Sequence, residues 1–186
     1  MQPGNRQPAP NSLALVQDFV NTRDWLSQRE TLLSPDLLRK WLVDHHLPDE
    51  SSLNEEDLVW ACEVREALRS LLRANNGAAF DAQALEILNQ ASKNAHLLIQ
   101  FHQYGSAELI PAASGLDAAL GQVLAQAFRA MQEGNWRRLK ACRNEECLWV
   151  YYDTSKNHSG AWCTMSICGN RLKARAYRHR RHTSKS

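Results

Sequence analysis

Apolar positions recur at helical spacing through the first part of the chain. Leu13, Val16, Phe19 and Val20 form one stripe behind Ser12, which predicts a helix over about 12–21. Ser34-Pro35-Asp36 is a start signal: a hydroxyl N-cap, a proline at the first helical position, then an acid facing the helix dipole. The helix it opens carries Leu37, Leu38, Trp41 and Leu42 and stops near Leu47-Pro48. Asn54-Glu55-Glu56-Asp57 opens the longest predicted helix, which ends near Asn76-Gly77. Trp60, Ala61, Val64, Leu68, Leu71 and Leu72 lie on one broad arc of it. A fourth helix is predicted over about 81–94. The period then changes: short apolar stretches at 96–103 and 107–112 flank Tyr104-Gly105-Ser106, which predicts a β-hairpin. Ser114-Gly115 starts a fifth helix, with Leu116, Leu120, Val123, Leu124, Ala127 and Phe128, and Gly134 ends it. Residues 1–11, rich in proline and polar residues, read as a disordered leader.

Charge divides the chain. The net charge over 186 residues is only +2, but residues 134–186 carry twelve Lys/Arg against three acids, a net of +9, and the rest carries −7. Opposite signs suggest two jobs, with the basic part the candidate for a polyanionic partner. A fragment ending near Gly134 is expected to fold alone and to leave nucleic acid unbound. No run approaches the eighteen apolar residues of a membrane span, and no signal core precedes the first helix. A cytoplasmic, reducing location is expected, where cysteines seldom form disulfides.

Four of the five cysteines make two pairs, Cys142/Cys147 and Cys163/Cys168, each with four intervening residues and a fifteen-residue gap between pairs. Zinc takes four such ligands at tetrahedral corners, and close pairs lower the loop-closure cost. Four thiolates leave no open position, so one structural zinc per chain is expected. Buried free thiols or a redox pair are the competing reading. Cys62, mid-helix and far from any second ligand, reads as a packing residue. Between the pairs lies an aromatic, β-prone run ending in the polar Asp153-Thr154-Ser155. Trp149, Tyr151 and Trp162 read as core in so small a module, with base stacking the alternative.

Beyond Cys168 the chain turns basic. On a helix starting there, Arg171, Arg175, Arg178 and His182 fall on one stripe, while Leu172, Ala176 and His179 face back toward the metal. The candidate nucleic-acid contacts are Arg171, Arg175, Arg178 and Arg181, since a guanidinium fork suits phosphate and guanine edges. A merely solvated helix is the rival. Asn170 and Arg171 could equally support the metal loop, the asparagine by capping a helix or bonding a cysteine sulfur. In the acidic part, Asp18, Asn21 and Thr22 are candidate ligand-binding residues, although Asn21 and Thr22 could instead close the first helix. His45 and His46 point about 100° apart on a helix and do not share a ligand. No nucleophile–base–orienter set is visible, so no catalytic residue is assigned and no enzyme is expected.

The C-terminal segment resembles the CGNR zinc finger through Tyr152-Asp153-Thr154-Ser155, Trp162-Cys163-Thr164-Met165, Cys168-Gly169-Asn170-Arg171 and Lys173. The upstream region resembles the ABATE domain through Leu13-Ala14-Leu15 and Asp18-Phe19-Val20-Asn21-Thr22. Together these imply a bacterial, stress-linked transcription regulator with four cysteines on zinc and an N-terminal domain that senses a ligand. Gly160-Ala161 stands where the family often has basic residues, which suggests a weakened or redirected phosphate contact.

The expected fold is α+β and mainly helical: a leader (1–11), a helical domain with one hairpin (12–133), a four-cysteine zinc finger ending in a basic helix (134–182) and a tail (183–186). The expected function is DNA-binding regulation, with DNA as partner and a small-molecule ligand or a homodimer as further candidates. The alternative is an RNA-binding or protein-interaction module in which zinc is only a staple.

Overall fold

The computed structural model of the chain describes residues 6–11, 13–49 and 52–171. Among the described residues five α-helices form in order: α1 (Leu13–Val20), α2 (Pro35–Asp44), α3 (Glu55–Ala74), α4 (Ala82–Asn94) and α5 (Gly115–Gln132). Three two-stranded antiparallel sheets complete an α+β fold: β1 (Arg23–Asp24) with β2 (Arg29–Glu30), β3 (Leu97–Phe101) with β4 (Ala107–Pro111), and β5 (Leu139–Ala141) with β6 (Val150–Tyr152). Local chemistry sets the helix starts. Ser34 Oγ accepts from Leu37 N at 3.3 Å, and Asn54 Oδ1 accepts from Glu56 N and Asp57 N while Asp57 Oδ2 takes Asn54 N in return. Asp81 caps α4 in the same way. Ser12, the expected cap of α1, lies outside the described residues. At the tip of the β3–β4 hairpin, Tyr104 and Gly105 both turn with positive φ, which a glycine tolerates and a tyrosine adopts only at a tight turn.

The core gathers around α3, which packs against α1, α2, α4, α5 and β5. Its buried face contains the expected Ala61, Val64, Leu68 and Leu72, but also Arg65 and Arg69, which no hydrophobic pattern would place there. Buried cations need partners. Arg65 Nη1 donates to Glu30 Oε1 at 2.8 Å and to Thr22 Oγ1 at 3.2 Å. Arg69, only 2% exposed, is held by Glu66 and donates to three carbonyls: Val20 O at 2.6 Å, Leu148 O at 3.0 Å and Arg23 O at 3.3 Å. The small β1–β2 hairpin, missing from the predicted elements, brings Glu30 to this network.

One core spans the charge boundary. Trp136, Leu139, Ala141 and Val150 belong to the same buried cluster as Leu13, Phe19, Leu68 and Leu120. The boundary at Gly134 therefore separates charge and sequence character, not hydrophobic cores, and a fragment ending there would expose an apolar face. Polar contacts cross it too. Asn21 makes a two-way pair with the Val150 backbone, Oδ1 accepting from N and Nδ2 donating to O, both at 2.8 Å. Asn75 Nδ2 donates to Trp136 O and Leu139 O, and Asn76 Nδ2 to Ala141 O and Ala161 O.

Of the expected leader, residues 1–5 lie outside the described residues. Residues 6–11 form a strap laid on the rest of the molecule, with Arg6 and Ala9 buried. Gln17 of α1 holds it, taking Ala9 N on Oε1 at 2.7 Å and donating Nε2 to Gln7 O at 3.0 Å and to Val150 O at 3.1 Å.

A shared core predicts a single unfolding transition for the described part of the chain. Asn21→Ala strands the Val150 N–H and leaves the Val150 carbonyl to Gln17 alone, and should lower stability by roughly 1–3 kcal/mol. Urea melts followed by tryptophan fluorescence and by far-UV circular dichroism should coincide in the zinc-loaded protein. Two separated transitions would contradict the shared core.

Candidate metal centre

The first cysteine pair is carried by the β5–β6 hairpin, in which Lys140 faces Tyr151 and Ala141 faces Val150. Cys142 follows β5, its N–H bonded to Trp149 O at 2.9 Å. Asn144 then folds the connection into a knuckle: its carbonyl accepts from Cys147 N and Leu148 N, and its Oδ1 from Glu146 N. Leu148 leaves this knuckle with a φ of 48°, a left-handed conformation that turns the chain into β6. Of the second pair, Cys168 sits on a wide helical turn, Met165–Gly169, and Cys163 stands just before its cap, Thr164. Thr164 Oγ1 caps that turn by accepting from Ile167 N, and Thr164 O accepts from Cys168 N and Gly169 N. A Cβ on Gly169 would meet the end of the Met165 side chain, which is half exposed and can swing aside, and would rest against the Trp162 ring at 3.4 Å.

All four sulfurs are buried and lie within 4.8 Å of one another, and none is in a disulfide. A tetrahedral zinc with bonds of about 2.3 Å requires S···S edges of about 3.8 Å. The Cys147–Cys163 and Cys163–Cys168 separations are both 3.7 Å. The set fits one zinc ion, coordinatively closed and therefore structural. Hydrogen bonds already aim at the sulfurs, from Cys163 N to Cys142 Sγ at 3.4 Å and from Asn144 Nδ2 to Cys168 Sγ at 3.5 Å. Without a cation the thiols oppose one another. Hydrogen bonds from Cys142 and Cys147 draw the Cys163 thiol down, while hydrogen bonding to Cys142 and Cys163, with burial, drives Cys147 far up. A divalent ion removes that conflict and must displace protons to do so.

Around the centre the finger has a polar scaffold of its own. Lys140 Nζ donates to Asp153 Oδ2 at 2.7 Å, with both side chains buried, and to His158 O at 2.6 Å. Burial alone would raise the Asp153 carboxyl, but its bonds from Lys140 and Ser155 hold it below the usual carboxylate range. Gly160 N also donates to Asp153, and a Cβ on Gly160 would meet that carboxylate at 2.8 Å. Gly160 O accepts from Tyr151 Oη at 2.7 Å, and Ala161 O from Asn76 and Arg143 N. Gly160-Ala161 is thus engaged through its backbone, with the glycine pressed against an anchored acid. Trp149 and Tyr151 are buried and Trp162 is half-buried, so packing is what the structure shows for these aromatics.

The candidate contacts divide. Arg171 is exposed directly after the turn that holds Cys168. Arg175, Arg178 and Arg181, with the Leu172, Ala176 and His179 face, lie outside the described residues. The asparagine bonded to a cysteine sulfur is Asn144 rather than Asn170, whose N–H instead continues the turn to Met165 O. Of the candidate ligand residues, Asn21 is spent on Val150, and Thr22 donates to Phe19 O at 2.8 Å while accepting from Arg65. Asp18 is half-buried on α1 and makes interactions of its own. Cys62 packs against the core, and burial raises its thiol. His45 stacks on Trp41 at 4.0 Å, while His46 is exposed in the loop beyond. Asp153 stands in the Tyr152–Ser155 motif, but its partner Lys140, like the roles of Arg6 and Asn144, was invisible to motif reading, because each depends on a partner distant in sequence or across a turn.

Purified protein should contain one zinc per chain by elemental analysis, and Cys163→Ser should lose it. Stripping zinc with a chelator should unfold the hairpin and knuckle. Because the core is shared, it should also loosen α1 and the end of α3, visible as weaker amide-exchange protection there. Acidification should release zinc, since protons compete for the thiols. Full zinc content in Cys163→Ser would contradict the assignment.

Two comparisons bear on the whole chain. No curated protein matches it. Residues 13–134 match the ABATE family, described as "Putative stress-induced transcription regulator", and residues 138–181 match the CGNR zinc finger. The helical core and its four-cysteine module thus stand in the order of those two matches, and the chain belongs to the ABATE family, with a CGNR zinc finger at its C-terminal side.

Proposed function

We propose that the protein is a non-catalytic, DNA-binding transcription regulator of the cytoplasm, acting in a bacterial stress response. The observation that carries this reading is the exit of the chain from the metal centre. Exposed Arg171 stands three residues after buried Cys168, and residues 171–181 add Lys173, Arg175, Arg178, Arg180 and Arg181 with no acid among them. Zinc holds the start of that segment in a fixed frame, and the segment offers cations to a phosphate backbone. Arg137, Arg143 and Lys156 are exposed on the same finger and add to its positive face. No described helix is long and apolar enough to cross a membrane. A closed four-thiolate centre gives no open metal position for chemistry. RNA binding, with zinc only as a staple, is the second reading, favoured by a basic segment that carries no stated base code.

The helical domain serves self-association. The β3–β4 hairpin projects Leu98, Ile99, Phe101 and Tyr104 into solvent, with Phe101 80% exposed. The sequence of β3, LLIQF, carries no charge and no proline to guard its edge. Two such edges are self-complementary, and antiparallel pairing with a second copy would make a continuous four-stranded sheet. The two aromatics expose on the order of 150–250 Å² each. With Leu98 and Ile99 they supply much of the roughly 800 Å² per partner in a standard interface. Light scattering should report a dimer, and Ile99→Lys a monomer of unchanged helicity. A wild-type monomer across a concentration series would remove this role.

DNA contact is tested by salt titrations of binding. Alanine at Arg171, Arg175 or Arg178 should lower the salt slope by about 0.9 for each phosphate no longer neutralised. An arginine forked onto guanine should instead cost about 1–3 kcal/mol on the preferred site only. Lys173→Ala and Arg180→Ala are the controls. If the stripe variants match the controls with zinc intact, the stripe is not the binding face; if RNA competes better than DNA, the second reading replaces the first.

A further inference from the structure

Zinc bound by four thiolates carries a net charge of about −2, and here the cage is buried. Buried charge is costly unless nearby groups balance it. The hydrogen bonds from Cys163 N and Asn144 Nδ2 bring dipoles but no charge. Lys140, a buried cation of the finger, is already committed to Asp153. Arg6 is a second buried cation close to the cage. Its guanidinium carbon lies 4.3 Å from the centroid of the Trp149 ring, and Trp149 packs in one buried cluster with Cys142, Cys147, Cys163 and Cys168.

Arg6 reaches this place from the far end of the sequence. The strap that carries it is pinned by Gln17 at Ala9 N and Gln7 O, and Gln7 O also accepts from Tyr152 N of β6 at 3.5 Å. The strap thus runs along the outer edge of the finger hairpin. Arg6 itself is 6% exposed, so its charge acts with little screening by water. We propose that Arg6 is the counter-cation of the zinc–thiolate centre, making the metal-binding unit a composite of the strap at residues 6–10 and the finger. The role is one of positioning and charge balance, and it is independent of whether the finger binds DNA.

The test uses the full zinc-loaded chain and a chromogenic chelator, pyridylazoresorcinol, which reports zinc as it leaves. Arg6→Met keeps an apolar stem over Trp149 and removes the charge; Arg6→Lys keeps the charge and removes the planar fork. Arg6→Met is expected to lose roughly 10–100-fold in zinc affinity, the range for removing a supporting group around a metal site, and Arg6→Lys to recover most of it. Helical circular dichroism before chelation checks that each variant is folded, and Arg6→Gln carries the test if Arg6→Met is not. Wild-type zinc affinity in the folded uncharged variant overturns the proposal. So does Arg6→Lys as weak as Arg6→Met, which would assign Arg6 to packing on Trp149 alone.

Discussion

A two-stranded sheet has two open edges, and the β5–β6 hairpin of this finger is too short to hide either one. Its outward backbone groups must find partners or remain in water. Here the helical domain supplies them with amide side chains in the manner of neighbouring strands. Asn21 takes both groups of Val150 on the β6 edge, and Asn75 and Asn76 take Leu139 O and Ala141 O on the β5 edge. Arg69 adds Leu148 O, just beyond the knuckle. Removing any one of these strands a buried polar group, at a cost of about 1–3 kcal/mol. The finger is consequently built onto the helices rather than tethered to them.

Zinc and helices hold opposite sides of the same hairpin. The metal gathers the sulfurs at the knuckle and at the turn before Arg171, while α1 and α3 fix the strands and their apolar face joins Leu68 and Leu120 in one core. A finger held on both sides has little freedom to pivot against the helical domain. A change in that domain, by association of hairpins or by a ligand, would then be felt at the hairpin through Asn21 and Arg69. The buried arginines suit this coupling: Arg65 and Arg69 share Glu66, so the ends of α1, the β1–β2 hairpin and the finger are joined by one charged network.

The opposite charges of the two halves take on a different meaning in this setting. They do not repel or separate the domains, since the contacts between them are apolar or run from amide and guanidinium groups to backbone carbonyls and N–H groups. The positive excess is carried outward, by Arg137, Arg143, Lys156 and Arg171 among the described residues. Three positive residues of the acidic half go the other way, Arg65 and Arg69 into their own network and Arg6 toward the finger. Arg6 is drawn inward to the thiolate cage, where the finger's own lysine is already engaged.

The sequence alone determined whatever rests on short-range chemistry. Helix starts at Ser34 and Asn54, the hairpin about Tyr104-Gly105 and the break at Gly134 follow from local capping and turn geometry. The cysteine pairs also declared their ligand role, because four like donors at equal spacing have few other uses. Only tertiary structure decided the rest. Asn21 and Thr22 look like ligand-binding residues until Val150 and Arg65 are placed against them, some 129 and 43 positions away. Arg65 and Arg69 look like a solvated helix face until Glu30 and the carbonyls of Val20 and Leu148 surround them. A polar side chain has the same local signature whether it faces water or a buried backbone group. Which of the two it meets is settled by packing alone, and so the interlock of helices and finger, and the strap that brings Arg6 to the metal, could be read only from the folded chain.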